Sequence, residues 1–268
     1  MNLAIETIKL LAILLAPFAV FAFVIHLLER MIQRRLAERF GWNSVLWTGW
    51  LGTPIHELSH ALMCRVFHHN IDEIALFEPD QRSGRLGFVR HSFKSGNWYQ
   101  EFGNFFIGIA PLMGGSAVLI LLLWLFFPDA IEGAFAASKE AKLDGPAEQL
   151  IAIISAVAEN IFAAKNWATG RFWLFVYFVL CVGGHMAPSP SDYEGASRGV
   201  YLVGSGLLIF TVGLALTGTD SRSMIEGMLG LLGPLLAILS ITIVLCAVVT
   251  GLVWLITAAF PKRFVQRG

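Results

Sequence analysis

The pentapeptide His56-Glu57-Leu58-Ser59-His60 lies inside an apolar stretch that reads as a membrane span, and this placement constrains the chain more than any other feature. On a helix, H-E-x-x-H sets two imidazoles one turn apart on the same face, with Cβ atoms about 6 Å apart. That spacing suits two corners of a tetrahedral Zn²⁺ site, and the intervening Glu57 falls beside the metal as a general base. Two histidines and a glutamate in hydrocarbon are costly unless something compensates them, and a bound dication does so. The pattern points to a metal-dependent hydrolase whose active site lies within the bilayer.

Composition agrees with that setting. Of 268 residues, 56% are hydrophobic and 14% charged, against about half and about a quarter in soluble domains. Nineteen basic residues balance nineteen acidic ones, so no nucleic-acid partner is expected. Cys64, Cys181 and Cys246 are scattered in apolar contexts and read as small buried hydrophobes rather than disulfides or metal ligands. Glu6 and Lys9 precede the first apolar run, which carries no signal-peptide cleavage site and is expected to remain as the first span.

Six stretches reach the roughly 20 helical residues that a hydrocarbon core requires: residues 10–28, 42–67, 105–127, 172–187, 200–216 and 229–260. Residues 29–40 interleave Arg30, Arg34, Arg35 and Arg39 with apolar positions and predict a separate interfacial helix. Thr53-Pro54 either kinks the second span or opens a fresh helix with Thr53 as its cap. Residues 71–77 and 87–91 flank the turn-rich Pro79-Asp80-Gln81-Arg82-Ser83-Gly84 and predict a β-hairpin. The Gly108–Gly115 stretch, around Pro111, permits close helix packing. Within residues 128–170, Leu150, Ile153, Ile154, Val157 and Ile161 recur at helical spacing, as in an amphipathic helix on the membrane surface. The expected fold is an all-α polytopic membrane protein. It has about six transmembrane helices, a membrane-associated β-hairpin and interfacial amphipathic helices, in one transmembrane domain over residues 1–268.

A catalytic zinc ion takes three protein ligands and an open position, and H-E-x-x-H supplies two. The second and fourth spans are separated by two crossings and so run in the same direction. The motif lies toward the C-terminal part of one, and Asp192 just past the end of the other, so both approach the same membrane face. Pro188 and Pro190 are expected to prevent a regular helix there and let Asp192 turn inward. Asp192 is the expected third ligand, with Glu194 in reserve and His185 a weaker candidate.

H-E-L-S-H in the second span, a Gly/Pro-rich start to the third, a hairpin between them and a Pro-rich Asp motif ending the fourth together resemble the site-2 protease family. These are zinc intramembrane metalloproteases, and the resemblance covers about residues 43–196. The family's Asp motif reads like N-P-x-P-L-D-G. Here it is Ala187-Pro188-Ser189-Pro190-Ser191-Asp192-Tyr193-Glu194-Gly195, so alignment on the Asp selects Asp192 and alignment on the Gly selects Glu194. No room exists for a PDZ insertion, and the chain looks like a minimal core. The resemblance implies a zinc endopeptidase that cuts membrane-embedded protein substrates in regulated intramembrane proteolysis. It also implies a multi-pass cell-membrane protein with its active site toward the cytosol. Lysine and arginine counts do not decide the orientation: with Lys9 set aside, nine fall on each side.

A transmembrane substrate hides its carbonyls in helical hydrogen bonds and must be unwound. The hairpin is expected to receive it as an added strand, through Ile74, Leu76, Phe88 and Val89. The competing class is a non-proteolytic metal-binding membrane protein, either a transporter or an inactive scaffold. The lack of internal repeats and the position of Glu57 count against it. The sequence leaves the oligomeric state open.

Overall fold

The computed structural model describes residues 3–140, 146–216 and 221–261. Among these the order is α1 (Leu3–Phe40), α2 (Asn43–Val66), β1 (Asn70–Ala75), β2 (Phe88–Ser92), α3 (Trp98–Phe126), α4 (Pro128–Glu140), α5 (Pro146–Ile161), α6 (Ala164–Trp167), α7 (Gly170–Gly183), α8 (Pro190–Leu216) and α9 (Ser221–Ala258). The chain is mostly helical, with one two-stranded antiparallel sheet.

The predicted interfacial helix at 29–40 is the last part of α1. No glycine or proline follows Pro17 until Gly41, whose φ of 78° ends the helix in the left-handed conformation that glycine adopts without strain. The Gly41 amide closes the helix on the Ala37 carbonyl at 2.9 Å. Arg35, expected at an aqueous boundary, is buried instead. Its Nε donates to Thr257 Oγ1 at 2.9 Å, and its guanidinium lies 4.2 Å from the centre of the Trp254 ring, which ties α1 to α9.

Helix α2 runs unbroken through Pro54, so no fresh helix begins at Thr53. It packs against α7 and α3. Along α2 and α7 the contacts advance together: Tyr177 donates to the Trp47 carbonyl at 2.7 Å, and His56 meets the His185 carbonyl further on. The two helices are therefore parallel, as the count of crossings predicts. Close approach depends on glycine. A Cβ on Gly52 would stand 2.9 Å from the His185 ring, and one on Gly115 would stand 2.8 Å from Met186 Cβ.

The core joins Ile25 and Ile32 of α1, Leu119 and Leu123 of α3, Phe172 and Val179 of α7, and Leu239 and Leu245 of α9. Ile153, Val157 and Ile161 are also buried in it. The stripe that predicted a helix lying on the membrane surface thus faces protein, and α5 packs on α4 and α9.

Among the described residues, two helices are long and apolar enough to cross a membrane, Trp98–Phe126 and Ala237–Ala258. Six were expected. Helix α7 has only 14 residues, about 21 Å at helical rise against a core of about 30 Å. Helix α2 is diluted by His56, Glu57, His60 and Arg65, whereas the side chains of the expected spans at 10–28, 200–216 and 229–260 lie partly outside those described.

The hairpin pairs Ile71 with His91, Glu73 with Arg90, Ile74 with Val89 and Ala75 with Phe88, with a bulge between Ile71 and Glu73. In its turn Asp80 accepts from the Arg82 amide at 3.0 Å and from Ser83 Oγ at 2.7 Å. These bonds hold its carboxyl below the usual carboxylate range.

Gly52→Ala should drive α2 and α7 apart and lower unfolding stability by about 1–3 kcal/mol, the usual cost of overpacking. Thermal unfolding in detergent checks this, and an unchanged midpoint would show that the contact yields freely.

Candidate metal centre

His56 and His60 lie one turn apart on α2, and Asp192 comes to them from the first turn of α8. Their ligand atoms all fall within 4.8 Å of one another, and the group could hold a metal ion. The two Nε2 atoms are 3.2 Å apart. His60 Nε2 is 3.2 Å from Asp192 Oδ1, and His56 Nε2 is 3.6 Å from Asp192 Oδ2. Donors around a tetrahedral ion with metal–ligand distances of about 2.0–2.1 Å stand about 3.3–3.4 Å apart. The three measured separations bracket that value.

The protonation pattern is fixed by main-chain carbonyls. His56 Nδ1–H donates to the His185 carbonyl, and His60 Nδ1–H to the Ile107 carbonyl, each at 2.8 Å. A neutral imidazole that donates through Nδ1 presents a lone pair at Nε2. Two lone pairs and a carboxylate therefore converge with no donor among them, and a cation reconciles them.

Both carbonyls have been released from helical bonding. Pro111 has no N–H, so Ile107, four residues earlier on α3, lacks its helical donor. His185 lies just past the end of α7. Glu29 holds the same segment, accepting from the Ala187 amide at 2.7 Å.

Asp192 is not in a helix-free tract, contrary to the expectation from Pro188 and Pro190. Pro190 is the first residue of α8, a position where its missing N–H and fixed φ are favourable. Ser189 precedes it, and Asp192 Oδ2 reaches back to accept from the Ser189 amide at 2.6 Å and its hydroxyl at 2.7 Å. This is one half of a capping box. The cap fixes the carboxylate's rotamer and leaves Oδ1 toward His60.

Glu194 lies two residues on, about 200° around the helix, and is exposed; it does not join the group. Nor does His185, whose ring is buried between Thr48 Oγ1 at 2.9 Å and Gln33 Nε2 at 3.0 Å. It serves the centre through its carbonyl.

A cavity of about 680 Å³ opens on the three ligands. Glu57 lines it, as do Glu29, Asn104, the segment from Arg85 to His91 and the segment from Ala187 to Asp192. Gly87 lets the hairpin lie on α2 here: a Cβ would stand 2.9 Å from Thr53 Cγ2 and 3.0 Å from Glu57 Cγ. Asn104 Nδ2 is buried and has no hydrogen-bond partner among the described residues. Of the four hairpin residues expected to meet a substrate, Phe88 and Val89 line the cavity. Ile74 and Leu76 do not, because β1 lies on the far side of β2. Glu29, Asn104, His91 and the Ile107 carbonyl went unnoticed in the sequence. An acid and an amide at the ends of apolar runs were the available signal for the first two, and a proline four residues on was the signal for Ile107.

Asp192→Asn keeps a capping acceptor and leaves Glu194 in place. It is expected to weaken metal binding at least about 100-fold in competition with a chromophoric chelator; retained binding would transfer the role to Glu194. Pro111→Ala should favour the helix yet lower metal affinity about tenfold, because a restored amide competes for the carbonyl that orients His60. Unchanged affinity would remove that carbonyl from the account. Compared with known proteins, the chain matches no family model, no curated protein and no solved structure.

Proposed function

We propose that this chain is a multi-pass membrane protein and a zinc-dependent endopeptidase of the site-2 protease type, hydrolysing peptide bonds of membrane-embedded substrates. The observation that carries the reading is one cavity shared by an acceptor-only His56–His60–Asp192 group, the Glu57 carboxyl and the open side of β2. Two neutral imidazoles and a carboxylate suit Zn²⁺ and leave it a net charge of about +1. When bound it would polarise a peptide carbonyl and acidify water toward neutrality.

The protein's own groups account for the rest. Glu57 Oε accepts the proton of the attacking water and returns it to the nitrogen of the departing amine. Asn104 lines the cavity with a buried, unpaired Nδ2–H, which a turn of the side chain would offer to a substrate carbonyl. Strand β1 occupies one edge of β2, while residues 85–91 face the cavity, so an unwound substrate segment gains replacement backbone partners by adding to that side.

Outward faces support the membrane reading. Leu58, Leu62 and Val66 on α2, Trp124 and Leu125 on α3, Ile209 and Phe210 on α8, and Trp254 and Leu255 on α9 are all exposed. Apolar surface of this extent has its natural contact in lipid. Helices α1, α2 and α8 then cross beside α3 and α9, the shorter α7 is embedded among them, and the active site lies toward the cytosolic face.

Glu57→Gln is expected to retain stoichiometric zinc and to lose cleavage of a single-span reporter by at least about 100-fold. Near wild-type cleavage would refute the base assignment. Zinc without cleavage in the unaltered chain would favour an inactive scaffold, and metal flux in vesicles a transporter.

A further inference from the structure

A second histidine pair stands beside the cavity. His69 follows the end of α2, and His91 sits on β2, with their Nδ1 atoms 3.0 Å apart. His69 is buried, and its ring stacks on Phe93 with centroids 5.1 Å apart. Its Nε2–H donates to the Gln100 carbonyl at 2.8 Å. Burial holds both imidazoles below their ordinary range, and the facing His69 ring lowers His91 further.

These contacts fix the direction of the hydrogen bond. A neutral His69 that donates through Nε2 must accept at Nδ1, so His91 donates its Nδ1–H to His69. The proton of His91 is thereby committed to one side of the ring. Its remaining nitrogen, Nε2, carries a lone pair. His91 lines the cavity, whereas His69 does not, so Nε2 is the hydrogen-bonding atom that His91 has left to offer there.

We propose that His91 is a substrate-contacting residue, its Nε2 accepting a backbone N–H from the bound peptide, with His69 as the positioning residue that sets its tautomer. The inference rests on the protease reading and deepens it. An unwound segment brings donors as well as carbonyls, and each N–H left unpaired away from water is penalised. Residues 88–91 supply main-chain partners along the strand; His91 adds a side-chain acceptor at its far end.

Asparagine and glutamine separate the two ring nitrogens, because Asn places an amide near Nδ1 and Gln places one near Nε2. In the Glu57→Gln background, a fluorescently labelled single-span peptide is titrated in detergent micelles. H91N is expected to raise its Kd about tenfold, and H91Q to stay within about threefold. With Glu57 present, H91N should raise KM for the same peptide and leave kcat and zinc content unchanged. The reverse order, with H91N near wild type and H91Q impaired, would overturn the proposal by confining His91 to its bond with His69. Equal loss in both variants would overturn it by assigning the effect to strand packing. Absence of cleavage by the unaltered chain would refute the protease reading itself, whereas normal cleavage with an unaltered H91N refutes only the role of His91.

Discussion

Three acceptor atoms meeting without a donor form the interaction on which the rest of the structure turns. His56 Nε2, His60 Nε2 and the Asp192 carboxylate approach to 3.2–3.6 Å, and the proton of each ring is held at Nδ1 by a carbonyl on the opposite side. In water such a cluster would be screened. Here all three side chains are largely buried, and a bound cation would make the arrangement favourable. Its specificity comes from the surroundings as much as from the ligands, since each imidazole is aimed by a main-chain atom and the carboxylate by a helix cap.

Breaks in helical bonding are concentrated at this point. Pro111 frees the carbonyl of Ile107, the end of α7 frees that of His185, and Pro190 begins α8 so that Asp192 falls at its third residue. In an apolar setting every released carbonyl needs a donor, and the imidazoles provide two. Gly52 then allows α2 to approach the end of α7 closely enough for the bond from His56. Residues that look like defects in the helices are what bring their polar atoms together.

This explains what the sequence could reveal. H-E-x-x-H is a local pattern on one helix, and its geometry follows from helical spacing alone. Asp192 is more than a hundred residues away, yet the parallel course of α2 and α7 brings it to the same end as the motif. The means of its delivery was misread, because Pro190 acts as a helix start where it was expected to act as a breaker. The hairpin was legible in its turn chemistry. Which strand faces the cavity was not, since alternation along Ile74 and Leu76 is the same whichever edge is covered. Main-chain donors and acceptors leave no residue signature, so the sequence does not show the partners of His56 and His60. Arginines interleaved with apolar residues place Arg35 at an interface, but its bond to Thr257 and its stacking on Trp254 depend on residues over two hundred positions later.

The supports of the centre are bonds between protein atoms and do not involve an ion. The imidazole–carbonyl bonds and the Ser189–Asp192 cap can all persist when no metal is held. A site of this kind is preorganised: ordering of its ligands is coupled to folding and need not be met again on binding. The same logic extends to the strand. Gly87 brings β2 against Thr53 and Glu57, and the His69–His91 bond anchors its other end. The cavity wall formed by β2 is thus fixed to the helix that carries the ligands. Movement of one displaces the other, and so the distance from β2 to Glu57 is set by packing rather than by the flexibility of a loop.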